Sequence, residues 1–279
     1  MSLNDIIKSN NFEFKKNFGQ NFISDKNLLS SIVSDAEILD TDEVLEIGVG
    51  AGTLTRVLAE NCQKVVGIEI DKELEKLHQT TLNNLSNVQI IFTDFMKLSS
   101  KYVNELFSKP YKVVANLPYY ITTPIIFKLL EQDFCITSLT LMVQKEVAER
   151  LISNPNSKDY GAITAQLNSI ANVKLKRIVG RQMFTPIPNV DSAIIKIDIN
   201  RNKYDIHNFE LHKKVIQVAF SMRRKTLNNC LKAGFSLKTE QIASLFETIE
   251  LENNVRGESL SASQFVMLSN ALNDMLSSK

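Results

Sequence analysis

There is no tryptophan in this 279-residue chain, and histidine and cysteine occur three times each. Cys62, Cys135 and Cys230 stand far apart with no C-x-x-C pair, which excludes a disulfide-stapled secreted fold and suits a reducing compartment. His78, His207 and His212 do not cluster either, so all six side chains are expected to be structural or superficial, and no metal is expected. No run of about eighteen apolar residues occurs, and the Asn- and Lys-rich beginning lacks the apolar segment of a secretion signal. A soluble, cytoplasmic protein without a membrane partner is the expectation. Charge of one sign is missing too. Lys and Arg number 32 against 31 Asp and Glu, and a net charge of +1 does not by itself suggest nucleic acid. Internal repeats and low-complexity tracts are also absent.

What the chain does have is a 44% apolar composition and length enough for one large α/β domain with a smaller module. Short apolar runs alternate with helical patterns through the first two-thirds, which predicts a doubly wound, mostly parallel sheet with its site at the C-terminal ends of the strands. The runs are Val44–Ile47, Val65–Ile70, Val88–Phe92, Lys112–Ala115, Ser138–Val143, Val173–Ile178 and Ala193–Ile199. The last two, joined by a Pro-containing loop, are expected to form an antiparallel edge hairpin. Beyond the polar stretch Asn200–Asp205 the pattern is helical: Phe209, Ile216 and Phe220; Leu227 and Leu231, with Gly234 as a cap; Ile242, Leu245, Phe246 and Ile249; then a Ser261/Gln264 capping box opening a last helix. The expected division is a sheet domain with an N-terminal arm over residues 1–202 and an all-helical C-terminal domain over residues 203–279.

Four signals follow one another along this framework. Gly48, Gly50 and Gly52 close the first run in a G-x-G-x-G turn, which lets backbone approach a ligand wedged between strand and helix. The spacing is neither the G-x-G-x-x-G of dinucleotide sites nor a P-loop, so a pyrophosphate ligand is disfavoured. Glu69 ends the second run, where a carboxylate can accept from both ribose hydroxyls, and Asp94 ends the third, where it can accept from an adenine amine; each can equally be a helix N-cap. The fourth run ends in Asn116-Leu117-Pro118-Tyr119. Alone, that is a strand followed by a Pro turn. It is also what methylating an aromatic amine demands: fixed acceptors for both N–H bonds, from the Asn116 side chain and the Leu117 carbonyl braced by Pro118, with Tyr119 to stack on an extruded base.

Taken in order, these signals describe S-adenosylmethionine-dependent methylation of an amino group on a Rossmann-like class I methyltransferase fold. The chain resembles the ribosomal RNA adenine dimethyltransferases, within them the bacterial small-subunit enzymes, almost end to end. The resemblance is carried by Lys15 to Ile23, Glu46 to Thr55, Glu69 to Asp71, Asp94, Asn116 to Tyr119, Phe184 to Ala193, Phe220 to Leu227 and Arg256 to Ser261. The sequence departs from the family's habits at Val49, often Pro, and at Met222, often polar. What the resemblance implies is dimethylation of two neighbouring adenosines near the 3′ end of 16S rRNA in the 30S subunit or its precursor, by a monomer that does not act on DNA. A sister family that methylates 23S rRNA and non-catalytic RNA-binding relatives on the same fold are the alternatives. The Leu117 form of the tetrapeptide and the closing Arg256 to Ser261 block argue against the first, and the intact Gly48, Glu69, Asp94 and Asn116 against the second.

The resemblance also draws Asn21 and Ile23, which spacing alone would leave on a flexible arm, into the cofactor site with Gly48, Gly50, Glu69, Asp94 and Asn116. Phe184, ahead of Pro186 and Pro188, is expected either to sandwich the flipped base opposite Tyr119 or to anchor its loop in the core. Asp191 and Ser192 are expected to brace that loop. Between Asn172 and Lys232 thirteen Lys and Arg face four acids, either a solvated face or an RNA surface. Arg223, Arg224 and Lys225 are its expected phosphate binders, joined by Lys15 and Lys16 on the arm.

Overall fold

The structure is a computed structural model describing residues 3–10, 12–15, 18–222 and 224–277. Nine strands occur among them: β1 (Phe22–Ile23), β2 (Glu43–Ile47), β3 (Lys64–Glu69), β4 (Val88–Phe92), β5 (Tyr111–Asn116), β6 (Ile136–Gln144), β7 (Ala171–Val179), β8 (Phe184–Thr185) and β9 (Ser192–Ile199). Seven form one sheet in the order β4-β3-β2-β5-β6-β9-β7. From β4 through β6 the pairs are parallel, and β9 runs antiparallel to β6. All seven runs anticipated from the sequence are strands. The loop between β7 and β9 does more than turn, because its β8 pairs with β1 of the N-terminal arm, Ile23 opposite Phe184.

The strands are Val- and Ile-rich because their central members are covered on both faces. Val44, Leu45, Val65, Val66, Val113, Val114, Leu139 and Leu141 are fully buried. Chain order reverses between β2 and β5, so a crevice opens beyond their C-terminal ends, where Gly48 and Asn116 lie.

By its contacts the chain divides into two compact units, Met1–Ala148 with Lys174–Ile199, and Glu149–Val173 with Asn200–Lys279. The sequence boundary at residue 202 assigns residues 149–173 to the sheet domain, whereas the greater part of this segment packs with the helices. The reason is packing. Tyr160 and Ala165 belong to the helical core with Val215, Leu231, Phe246 and Phe265. The Tyr160 hydroxyl donates to the Leu260 carbonyl at 2.8 Å, and Ser169 meets the ring of buried His212 at 3.0 Å.

The helices expected from periodicity are present at Phe209–Ser221, Leu227–Phe235, Thr239–Thr248 and Ala262–Ser277. Ser261 and Gln264 form their box, the Ser261 N–H donating to Gln264 Oε1 at 2.9 Å. Gly234 is not the cap expected of it. It lies within the helix Leu227–Phe235, and the left-handed residue after that helix is Ser236, at φ 53°. Gly234 is there for proximity: a Cβ on it would sit 2.5 Å from both methyls of Val218. An Ala there gains up to about 1 kcal/mol of helix propensity but meets a stiff β-branched side chain, and overpacking costs about 1–3 kcal/mol. Gly234→Ala is therefore expected to destabilise the helical unit by about 1–2 kcal/mol, read as a lower denaturation midpoint with an unchanged slope.

Candidate active site

The crevice at the ends of β2 and β5 is a cleft partly open to solvent. Glu46, Gly48, Gly50, Ile68, Glu69, Asp94, Asn116 and Tyr119 line it, together with Asn21, Phe22 and Ile23 of the arm. Every cofactor residue expected from the sequence is thus brought to one cavity, including the two that spacing alone would have left outside.

Its floor is the turn after β2. Gly48 and Gly50 have φ of 80° and 56°, a region side-chain-bearing residues avoid, and a Cβ on Gly50 would lie 3.1 Å from the Phe22 ring. A Cβ on Gly48 would lie 3.6 Å from Pro118. At Gly50 the missing side chain lets the arm close on the turn, whereas at Gly48 the constraint is the left-handed backbone itself.

Glu69 fastens the turn. Its Oε2 accepts from the Gly50 N–H and its Oε1 from the Asp71 N–H, both at 2.9 Å. Burial pushes its carboxyl pKa up while these backbone donors pull it down. His78 Nε2 lies 2.7 Å from the Gly50 carbonyl, which can only accept, so that nitrogen carries the proton. The ring stacks on Phe92 at 5.7 Å, and its pKa is lowered by burial. Asp94 is the N-cap that one reading expected, Oδ1 accepting from the Met96 N–H at 2.9 Å, and it also lines the cleft.

The tetrapeptide stands opposite. Asn116 Nδ2 donates to the Asn21 carbonyl at 2.9 Å, which fixes the amide and leaves Oδ1 as its free acceptor. The Leu117 side chain is buried while its N–H donates to Met142 on β6 at 3.1 Å, and no described residue donates to its carbonyl. The Pro118 carbonyl accepts from Ile121 N–H and from Thr122 Oγ1, locking the turn. Tyr119 is half-buried, with its hydroxyl 2.7 Å from Ser192 Oγ and its pKa raised by burial. Asp191 braces the neighbouring loop by accepting from the Arg181 N–H at 3.0 Å.

Three sequence expectations are placed differently. Phe184 does not line the cleft: its ring is 2% exposed, packed with Ile23, Leu54 and Met142, because β8 is anchored against β1. The loop-anchoring alternative describes it. Lys15 is not an outward-facing cation, since its Nζ is 2.8 Å from Asp71 and 3.0 Å from Glu73, and these acids raise its pKa. Part of the basic excess is neutralised internally, Arg177 by a two-point pair with Asp35, and Lys176 and Lys196 by Glu37. Arg224 and Lys225 are exposed on the helical unit, where Arg224 lines a surface hollow with Lys158 and Arg256. Lys16 and Arg223 lie outside the described residues.

Sequence reasoning passed over the latch on the arm. Gln20 Nε2 donates to Asp71 Oδ2 at 2.9 Å and Gln20 Oε1 accepts from the Lys15 N–H at 2.7 Å, so Asp71, 3% exposed, holds the arm at two points. The available signal was the second acid in Glu69-Ile70-Asp71, two residues on and hence on the same side of extended chain.

An open, mostly parallel sheet with a glycine turn, two strand-end acids and a Pro-braced asparagine around one switch-point cleft defines a Rossmann-like methyltransferase. Comparison with known proteins narrows the class. The family described as ribosomal RNA adenine dimethylase matches residues 11–274. The ribosomal RNA small subunit methyltransferase A of Clostridioides difficile strain 630 is 40% identical over 278 residues, covering 99% of this chain and 96% of its own. That of Clostridium acetobutylicum is 40% identical, covering 96% of each. A dimethyladenosine transferase from Plasmodium falciparum superposes with a TM-score of 0.79 at 27% identity, over 91% of this chain and 98% of its own. The 23S rRNA methyltransferase ErmE shares the fold, with a TM-score of 0.69 at 24% identity over 91% of this chain and 100% of its own. The chain belongs to the ribosomal RNA adenine dimethylase family, and membership makes it a methyltransferase enzyme.

Glu46, also on the cleft wall, is 1% exposed, and its Oε2 has no hydrogen-bond partner among the described residues. Burial pushes its pKa to about 8. The folded state therefore keeps a proton that the unfolded chain releases near its ordinary value, so this stability is full below pH ~4.5 and is lost as pH rises through about 8. Above pH 6.5, where the buried His78 and His212 are neutral in the folded and unfolded chain alike and no longer add stability as pH rises, thermal stability of the wild type is expected to fall towards pH 8, and Glu46→Gln should flatten that slope, leaving a contribution of the same sign from Glu69. An unchanged slope in the variant would show that Glu46 is ionised in the fold.

Proposed function

We propose that this enzyme transfers methyl groups from S-adenosylmethionine to the exocyclic amines of two adjacent adenosines near the 3′ end of 16S rRNA. It acts in the cytoplasm, as a monomer, on the small ribosomal subunit or its precursor. The observation that carries this reading is the hydrogen bond of Asn116: with Nδ2 committed to the Asn21 carbonyl, Oδ1 is the acceptor kept by a residue that lines the cleft together with Leu117.

The cleft suits the donor. Its glycine turn adopts a left-handed backbone that brings the main chain to the cleft, Glu69 can accept from ribose hydroxyls through lone pairs its backbone donors leave unused, and Asp94 Oδ2 can accept from the adenine amine. Asn21 and Ile23 close it from the arm. When bound, the donor supplies a methyl group on a positively charged sulfur, open to in-line attack by the amine. This chain's part is alignment. Asn116 Oδ1 and the Leu117 carbonyl accept the two N–H bonds of the base, drawing its lone pair out of conjugation as the nitrogen becomes tetrahedral. Tyr119, its hydroxyl held by Ser192, presents a ring face on which the extruded base stacks, worth about 1–3 kcal/mol. No general base is required, because the methylated nitrogen carries an acidic proton that water accepts. Arg224 and Lys225, with Arg223, bind phosphate on the helical unit.

Two outcomes test this. Asn116→Ala should lower turnover by about 10²–10³ even at saturating donor, and near-normal turnover would refute the acceptor role. Radiolabelled methyl from S-adenosylmethionine should enter undermethylated 30S particles as dimethyladenosine, and neither 50S particles nor protein-free 23S rRNA. Labelling of 23S rRNA would transfer the assignment to the sister family.

A further inference from the structure

Lys128 is 7% exposed, in the helix Thr122–Glu131 that follows the Asn116–Tyr119 tetrapeptide. So buried a lysine is ordinarily found against a carboxylate. This one spends its protons on backbone: Nζ donates to the carbonyls of Phe95 at 2.9 Å, Met96 at 2.8 Å and Leu98 at 2.5 Å. It also lies 5.1 Å from the centre of the Phe95 ring. A compact ammonium with three donors can satisfy three carbonyls that converge on one point, where a planar guanidinium cannot.

Those carbonyls belong to the single 3₁₀ turn Phe95–Lys97 and the residue after it. So short a turn has little stability of its own, and its terminal carbonyls need partners. It is held from both ends by opposite charges, Asp94 capping the start through the Met96 N–H and Lys128 gathering the carbonyls at the finish, the arrangement a helical dipole favours. Asp94, Phe95 and Met96 line the cleft, whereas Lys128 does not. Burial lowers the lysine's pKa while the Asp94 charge opposes that shift.

We propose that Lys128 is a positioning residue that sets the adenine selectivity of the donor site, by fixing the turn from Phe95 to Leu98 and through it the direction of the Asp94 carboxylate. This rests on the reading above that Asp94 accepts from the adenine amine of the donor. A lysine that merely stabilised the fold would weaken all cleft ligands alike. A lysine that aims Asp94 weakens only those bearing the amine.

The test is calorimetric binding, to the full chain, of S-adenosylhomocysteine and of S-inosylhomocysteine, in which a carbonyl replaces the amine. The wild type should prefer the adenosine ligand by about tenfold or more, the scale of one polar contact with a buried site. In Lys128→Met that preference should collapse towards one, with the inosine ligand bound about as before, and Asp94→Ala should show the same collapse. If Lys128→Met keeps the wild-type ratio while Asp94→Ala loses it, the inference is overturned and the Asp94 reading stands. If Asp94→Ala keeps the ratio, the Asp94 reading fails and takes the inference with it. Should Lys128→Met not fold, Lys128→Arg decides: charge is kept but three convergent donors are not, so a reduced ratio supports the proposal and a wild-type ratio overturns it.

Discussion

One carboxylate joins the parts of this site. Glu69 holds the Gly50 N–H with one oxygen and the Asp71 N–H with the other, so the turns after β2 and β3 are tied through a single buried side chain. Asp71, fixed by that bond, takes Lys15 and Gln20 of the arm. The arm in turn presents the Asn21 carbonyl to Asn116. From the end of β3 to the amide proposed to meet the substrate, each link is a hydrogen bond of 3.0 Å or less. Removing a carboxylate from water is unfavourable, and these backbone and side-chain donors are what compensate it.

Electrostatics within the sheet unit are mostly inward-looking. Lys15, Lys112, Arg177 and Lys196 all meet acids of the same unit, and Lys128 and Lys64 donate to carbonyls. A count of positive residues along the sequence therefore overstates the charge this unit offers to a polyanion. Charge available to phosphate is better sought on the helical unit, where Arg224 and Lys225 are exposed.

What could be read from the sequence was local in it. The glycine turn, the strand-end acids and the Asn116–Tyr119 peptide are each a few consecutive residues, and seven strands announced themselves as apolar runs. What escaped was held together across the chain. Lys15 finds Asp71 56 positions away, Lys128 finds Phe95 across 33, and Asn116 finds Asn21 across 95; no periodicity encodes such pairs. Gly234 misled because a glycine near a helix end reads as a stop, while its real constraint is Val218 on another helix. Phe184 misled for a similar reason: an aromatic before prolines suggests display, but pairing of β8 with β1 turns it inward. Asn21 and Ile23 became legible only through family likeness, since nothing in their spacing ties them to the first long strand.

The helical unit is built from two stretches of chain that synthesis delivers far apart. Its core needs Tyr160 and Ala165 from the earlier stretch and Val215 through Leu272 from the later one, and Tyr160 bonds to a carbonyl 100 residues downstream. On the ribosome the segment Glu149–Val173 must wait, its apolar face unsatisfied, until nearly the whole polypeptide has emerged. A nascent chain stopped after the sheet strands would hold a foldable first unit and an orphaned helical insertion. Completion of the last helix, which brings Phe265, Leu268 and Leu272, is thus the event that closes the second core.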